Sequence, residues 1–172
     1  RIPFMTEDPF IFGDRIQEMG AVLGLDMVII DTNPTLSMFD GSIYLATDGF
    51  LYVTEVEKLA FDGVQSALEH MRRFSKKRLE WRGESNRVLG IVPNKVRAGT
   101  KNHRKNIGSL ATAFPGYVWS LISLNTIWAE ATNLEQTVYT YAPSSQPAAD
   151  AWRLVDHTEE VLQTWQKTSE TT

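Results

Sequence analysis

Apolar residues follow two different spacings along the chain. Short runs rich in β-branched and aromatic residues are typical of buried strands, and they occur at 26–31, 49–54, 87–96 and 117–122. Between these runs, apolar residues recur every three or four positions, which predicts amphipathic helices at 13–25, 37–46, 58–77, 102–113, 126–132 and 148–166. Residues 138–141 are expected to be extended. Strands that alternate with helices in this way indicate an α/β fold with a largely parallel sheet flanked by helices.

No repeat, low-complexity stretch or long linker interrupts the 172 residues, so we predict a single α/β domain over 1–172. Its ends are expected to be an irregular arm at 1–12 and a disordered tail at 167–172. The sequence contains no run of eighteen apolar residues, so it predicts no membrane span. The absence of cysteine excludes disulfides, iron–sulfur clusters and cysteine nucleophiles, and with no signal-peptide pattern it favours a cytoplasmic protein.

Charge is distributed unevenly along the sequence. The formal net charge is −4, yet residues 72–105 contain twelve Lys and Arg residues and only two acidic ones. Such a block favours a surface that contacts a polyanion, although a solvated helix face fits it equally well. One group of bases ends the long predicted helix, where the helix dipole also favours cations: Arg72, Arg73, Lys76, Lys77 and Arg78. A second group follows the third predicted strand: Arg97, Lys101, Arg104 and Lys105.

The first predicted strand ends in an acid, Asp31. Ligands of open α/β sheets bind at the carboxyl ends of the strands, so this side chain is a candidate functional residue. A carboxylate there suits Mg²⁺ held through water, as in phosphate-binding-loop enzymes. The alternative is that Asp31 only caps the following turn.

Four segments between residues 26 and 162 share the order and spacing of a known family. They read DMVIIDTNP, LYVTEVEKLAFDGVQSAL, LGIVPNKVR and ISLNTIWAEATNLEQTVYTYAPSSQPAADAWRLVDHTEEVL. Together they resemble the C-terminal part of the ParA/MinD family of deviant Walker-A ATPases, and most closely its Soj-like chromosome and plasmid partition branch. The resemblance implies a P-loop NTPase-like fold.

One part of the family pattern is not found. The sequence contains no G-x-x-x-x-G-K-[ST] motif and no Gly-Lys dipeptide, and it begins with Arg1. In the family, the phosphate loop precedes the segment that matches 26–34. We therefore expect this chain to be the C-terminal portion of such a protein, without the N-terminal strands and the phosphate loop.

The resemblance implies ATP and Mg²⁺ as cofactors and assigns roles to individual residues. Asp31 matches the family's catalytic acid, which holds magnesium through water, and Thr32 matches the turn after it. Asn94 matches the position that hydrogen-bonds adenine, while Pro143 and Ser144 lie where a loop passes the adenine ring. Judged from the residues alone, Asn94 equally fits a turn residue, and Pro143 and Ser144 equally fit a helix-entry loop.

The implied function is that of a ParA-like partition ATPase. It would form an ATP-dependent homodimer, bind DNA non-specifically through phosphate contacts, and respond to a ParB-like partner on the nucleoid. The resemblance favours Arg97, Lys101, Arg104 and Lys105 over the bases of the long helix as the DNA-binding group. ATP hydrolysis is expected only if a phosphate loop exists.

Two alternatives stay open. One is a ParA-like module without nucleotide binding that acts as a DNA- or protein-binding element. The other is a MinD-like or cargo-positioning ATPase. Membrane targeting is disfavoured because the predicted C-terminal helix is acidic, with Asp156, Glu159 and Glu160.

Overall fold

The computed structural model describes residues 9–32, 40–97 and 99–169. Its strands are β1 (Gly49–Glu55) and β2 (Arg87–Asn94). Its helices are α1 (Ile11–Leu23), α2 (Asp40–Ala46), α3 (Lys58–Arg82), α4 (Lys101–Ala113), α5 (Thr126–Asn133), α6 (Val138–Tyr141) and α7 (Gln146–Ser169). The strands pair in parallel across the α3 crossover and are flanked by helices, which confirms the predicted α/β class.

The described residues divide into two compact units. Unit 1 contains the residues up to Phe50 together with 66–87, and unit 2 contains 51–65 together with the residues from Val88 onward. The hypothesis of a single domain over 1–172 stays a prediction. Within the described residues, no helix has both the length and the apolar character needed to cross a membrane.

The core of unit 2 is built around β2. Ile91 and Val92 are completely buried on this strand. The predicted strand at 117–122 lies alongside it in parallel register, with bridges from Ile91 to Val118 and from Val96 to Ser123. These bridges are isolated, so the segment adds parallel pairing to β2 without forming a continuous strand.

In unit 1, polar groups bond the loop after α2. The buried guanidinium of Arg78 donates to the carbonyl of Thr47 and pairs with Asp48 and Glu84. Nearby, Asn86 donates through Nδ2 to the carbonyl of Tyr44 at 2.8 Å. Arg78 is therefore a structural cation, in contrast to the exposed bases that precede it on α3.

The predicted strand at 26–31 is wrong. Residues 27–32 are irregular, and Ile29 is 82% exposed. A strand requires a neighbour that accepts and donates backbone hydrogen bonds, and no described residue pairs with this segment. The apolar, β-branched composition of 26–31 favours a strand, but no described residue pairs with this segment.

The prediction of an extended segment at 138–141 is also wrong. These residues form α6, a single helical turn, because the hydroxyl of Thr137 accepts a hydrogen bond from the N–H of Thr140 and caps it. The capping bond outweighs the strand preference of a short β-branched and aromatic run.

Several element ends differ from the sequence prediction. Helix α1 begins at Ile11, inside the predicted arm, and α3 continues to Arg82. Helix α7 extends through Ser169, into the segment predicted as a tail. The rest of the arm (1–8), the expected cap Ser37 and the end of the tail (170–172) lie outside the described residues.

Candidate functional site

The carboxyl ends of β1 and β2 meet at one edge of unit 2. Glu55 ends β1, and Lys95 directly follows β2; the Lys95 Nζ atom lies 2.5 Å from the Glu55 Oε1 atom. Helix α4 joins the same edge, because Asn106 donates through Nδ2 to the carbonyl of Val56 at 2.9 Å. The strand ends and the following helix are thus tied together by side chains.

Asn94 is half-buried at the end of β2. Its Oδ1 atom accepts a hydrogen bond from the N–H of Lys95 at 2.8 Å, and Lys95 adopts a left-handed backbone with φ of 52°. Asn94 is therefore a turn residue, as one interpretation of the sequence predicted. Its Nδ2 group has no hydrogen-bond partner among the described residues, so it can still donate to a ligand's ring nitrogen or carbonyl.

Pro143 and Ser144 lie in an exposed turn directly before α7. The neighbouring Ser145 stabilises this turn: its hydroxyl donates to the carbonyl of Ala142 at 2.6 Å and accepts from the N–H of Ala148 at 3.3 Å. The hydroxyl of Ser144 has no partner among the residues described. The structure therefore shows the helix-entry loop, with one hydroxyl free to meet a ligand.

A completely buried carboxylate, Asp150, lies in α7 behind this turn. It accepts hydrogen bonds from Ser123, Gln146 and Arg153. Burial raises the pKa of Asp150, but these hydrogen bonds outweigh burial, and the net effect is a pKa below the ordinary value. The carboxylate is therefore held ionised.

The sequence analysis missed Ser123, Ser145 and Asp150. For Asp150 a signal was present, since an acid stands among Ala148, Ala149 and Ala151 near the start of an amphipathic helix. A charged residue in such a small, apolar stretch is buried only when it is fully hydrogen-bonded. For the two serines no local pattern distinguishes them from other loop residues.

Asp31 and Thr32 lie in unit 1, both exposed and in irregular backbone. The described residues contain no group of three or more His, Asp or Glu side chains placed to hold a metal ion. Mg²⁺ on a nucleotide takes most of its ligands from phosphates and water. One exposed carboxylate therefore fits the water shell of a nucleotide-bound ion and does not by itself form a metal site.

The two predicted groups of basic residues lie in different units. In unit 2, the side chains of Arg97, Lys101, Arg104 and Lys105 are exposed and have no acidic partner among the described residues. The last three share one face of α4, at positions i, i+3 and i+4. His103 accepts the backbone N–H of Arg97 through Nδ1 at 3.1 Å, which holds the preceding loop against the helix.

The basic residues on α3 belong to unit 1, and some of them contact neighbouring side chains. Arg72 and Arg73 are exposed and have no ion-pair partner in the described parts of the chain. Lys76 lies 4.0 Å from Glu80, and the Lys77 ammonium lies 5.9 Å from the centre of the Phe74 ring. The α4 group is thus the one in which no base has an ion-pair partner among the described residues.

Comparison with known proteins gives the same family as the sequence motifs. The chain is 30% identical over 134 residues to the chromosome-partitioning ATPase Soj of Thermus thermophilus, covering 76% of this chain and 51% of Soj. Its fold matches the cell division ATPase MinD of Pyrococcus furiosus with a TM-score of 0.69 at 17% identity, over 90% of this chain and 59% of that one. It also matches an ATP complex of a Cyanothece McdA variant with a TM-score of 0.71 at 17% identity, over 90% and 57%.

These likenesses define the class: the chain is ParA/MinD-like in sequence, and its fold matches those of MinD and McdA. No family model matches it. The chain spans about half the length of Soj. The family resemblance seen in the motifs is confirmed, whereas the residue roles stay predictions.

Proposed function

We propose that the protein is a ParA-like partition ATPase, which dimerises with bound ATP and then binds DNA non-specifically during chromosome or plasmid segregation. The observation that carries the proposal is the cluster of exposed, unpaired bases at the start of α4: Arg97, Lys101, Arg104 and Lys105. This cluster directly follows the strand end at Asn94. The sequence likeness to Soj supports the same role.

In this proposal ATP lies against the strand ends of unit 2. The free Nδ2 group of Asn94 donates to the adenine ring, and the exposed turn with Pro143 and Ser144 flanks it. Within unit 1, Asp31 with Thr32 beside it is proposed separately to hold a water ligand of Mg²⁺, an ion that neutralises phosphate charge.

DNA is proposed to bind through its phosphates alone. Phosphate contacts require positive charge and reach and carry no sequence information, which suits long side chains on one helix face. A second copy of the chain would double the number of contacts, and a ParB-like partner would stimulate hydrolysis and release the DNA. We place this cycle on the nucleoid, in the cytoplasm.

The test measures binding of the chain to a fluorescent random-sequence duplex by anisotropy across a salt series, with and without Mg-ATP. We expect Lys101→Ala with Lys105→Ala to weaken binding and to reduce the slope of log affinity on log salt by about 2 for each copy of the chain bound, close to one for each lost contact. The matched control removes two exposed bases of α3, Arg72→Ala with Arg73→Ala, and should leave the slope nearly unchanged. Equal losses in both double variants would contradict the assignment of the surface.

One observation favours a second candidate, a ParA-like module that binds DNA or protein without nucleotide. Asp31 has no hydrogen-bond partner in the described part of the chain, and the 172 residues contain no phosphate-binding motif. Calorimetric titration with Mg-ATP, made on the full-length protein in which this chain occurs, separates the two. Heat of binding together with ATP-dependent DNA affinity supports the ATPase. DNA binding that is the same without ATP, and no heat of binding, supports the module.

A further inference from the structure

We infer that Asp150 is a positioning residue whose buried carboxylate holds the segment after β2 and the turn before α7 in one fixed arrangement. Asn94 immediately precedes the first of these segments, and Pro143 and Ser144 lie in the second. The inference rests on the proposed function for its ligand, since that function makes these segments the nucleotide-facing edge.

One carboxylate oxygen fixes the segment after β2. Oδ2 of Asp150 accepts from the N–H of Ser123 at 2.9 Å and from its hydroxyl at 2.5 Å. Ser123 in turn bridges to Val96, whose N–H donates to the carbonyl of Ile122 at 3.0 Å and whose carbonyl accepts from Leu124 at 2.9 Å. Val96 lies two residues after Asn94 in the chain. The Asp150 carboxylate therefore acts on the position of Asn94 through Ser123 and its pairing with Val96.

The other oxygen fixes the turn. Oδ1 of Asp150 accepts from the side-chain amide of Gln146 at 2.7 Å and from the guanidinium of Arg153. Gln146 is the first residue of α7, directly after the turn that contains Pro143 and Ser144. The same carboxylate therefore holds both sides of the proposed adenine edge.

Only an ionised carboxylate satisfies this arrangement. Four donors converge on Asp150, two on each oxygen, whereas an asparagine would offer one acceptor oxygen and would turn an N–H₂ group toward two of the donors. The side chain is completely buried, so water cannot replace the lost bonds. Arg153, which is half exposed, is the charged group that faces the carboxylate and compensates its charge.

The first test measures amide hydrogen exchange of the full chain by mass spectrometry, at a temperature where every variant is folded. We expect Asp150→Asn to raise exchange about tenfold or more in both 94–97 and 142–146, the effect of losing a hydrogen bond to a charged group. Residues 68–78 of α3, in unit 1, should keep their exchange rates. The matched control is Asp156→Asn, an exposed acid on the same helix, which should change neither segment.

Two milder variants test the segments 94–97 and 142–146 separately, and they can be used if Asp150→Asn does not fold. Ser123→Ala removes the hydroxyl but keeps the backbone bond, and it should loosen 94–97 while leaving 142–146 protected. Gln146→Ala should do the reverse. In the wild type, protection of both segments, corrected for intrinsic exchange, should fall as the pH drops through the lowered pKa of Asp150; in Asp150→Asn it should not.

The second test titrates the same variants with Mg-ATP at pH 7, each made in the full-length protein in which this chain occurs. We expect Asp150→Asn to weaken binding about tenfold, because the adenine edge loses its fixed geometry, while Asp156→Asn binds as the wild type does. Loosening of only one segment, or of neither, would overturn the inference. So would loosening of both with unchanged ATP affinity. If the wild type itself binds no ATP, the proposed function fails, and the exchange result alone decides whether Asp150 holds the two segments.

Discussion

The segment 26–32 and strand β2 have similar sequences and different structures. Both contain a run of apolar, β-branched residues followed by a polar side chain, Asp31 in one and Asn94 in the other. Ile29 is 82% exposed in irregular backbone, whereas Ile91 is completely buried in the sheet. β2 pairs with β1 and with 117–123, and no described residue pairs with 26–32. An apolar run becomes a strand only where neighbours satisfy its backbone groups.

The same difference extends to the candidate functional residues. The loop after Asn94 is tied to β1 by the pair of Lys95 with Glu55 and to α7 through Ser123 and Asp150. Asp31 has no such contacts among the described residues. The proposed adenine contacts are therefore preorganised within unit 2, whereas no described side-chain contact fixes Asp31 within unit 1.

The largest expected effect compares the two isoleucines directly. Ile91→Ala should lower the free energy of unfolding by about 2–5 kcal/mol, because it leaves a cavity in a closed core. Ile29→Ala should change it by under about 0.5 kcal/mol, since an exposed side chain loses few contacts. Urea unfolding followed by circular dichroism measures both. A loss at Ile29 as large as that at Ile91 would mean that the segment is packed in solution.

A second comparison concerns the two carboxylates. At pH 7, Asp150→Asn should cost about 1–3 kcal/mol, because buried donors lose their acceptor, and Asp31→Asn should cost under about 0.5 kcal/mol. The folded-state pKa of Asp150 lies below its ordinary value of 3.8. Its stabilising contribution is thus present above the ordinary value and is lost as the pH falls through the folded-state pKa. Unfolding curves at several pH values should show that the free energy of unfolding of the wild type approaches that of Asp150→Asn only in acid.

A third comparison concerns two glycines, whose substitutions should change stability in opposite directions. A Cβ added at Gly90 of β2 would lie 1.9 Å from Nε1 of Trp119, which donates to the carbonyl of Leu89. Gly90→Ala should therefore cost about 1–3 kcal/mol through overpacking. Gly20 of α1 has open space around its Cβ position, so Gly20→Ala should stabilise the helix by about 0.5–1 kcal/mol. Calorimetric melting shows whether each substitution raises or lowers stability. A stabilising effect of Gly90→Ala would show that Trp119 moves freely.

Most helices could be predicted from the sequence because their signal is local. The spacing of Leu68 and Met71 predicts the buried face of α3, and both side chains are buried. The segment 138–141 could not be predicted in the same way, because one capping bond from Thr137 decides between a strand and a helical turn. The role of Asn94 was predicted from the family motif and stays a prediction, and the structure adds that its side-chain Oδ1 atom already accepts a hydrogen bond in a turn.

The sequence by itself determined the α/β alternation, the uneven charge, the absence of cysteine chemistry and the family resemblance, since each follows from residue identity and short-range spacing. Tertiary structure alone decided which apolar runs find partners, that Arg78 is buried while its neighbours stay exposed, and that Asp150 of α7 bonds the distant Ser123. These outcomes depend on contacts between residues far apart in the chain, and burial makes such contacts decisive because a buried polar group must be hydrogen-bonded.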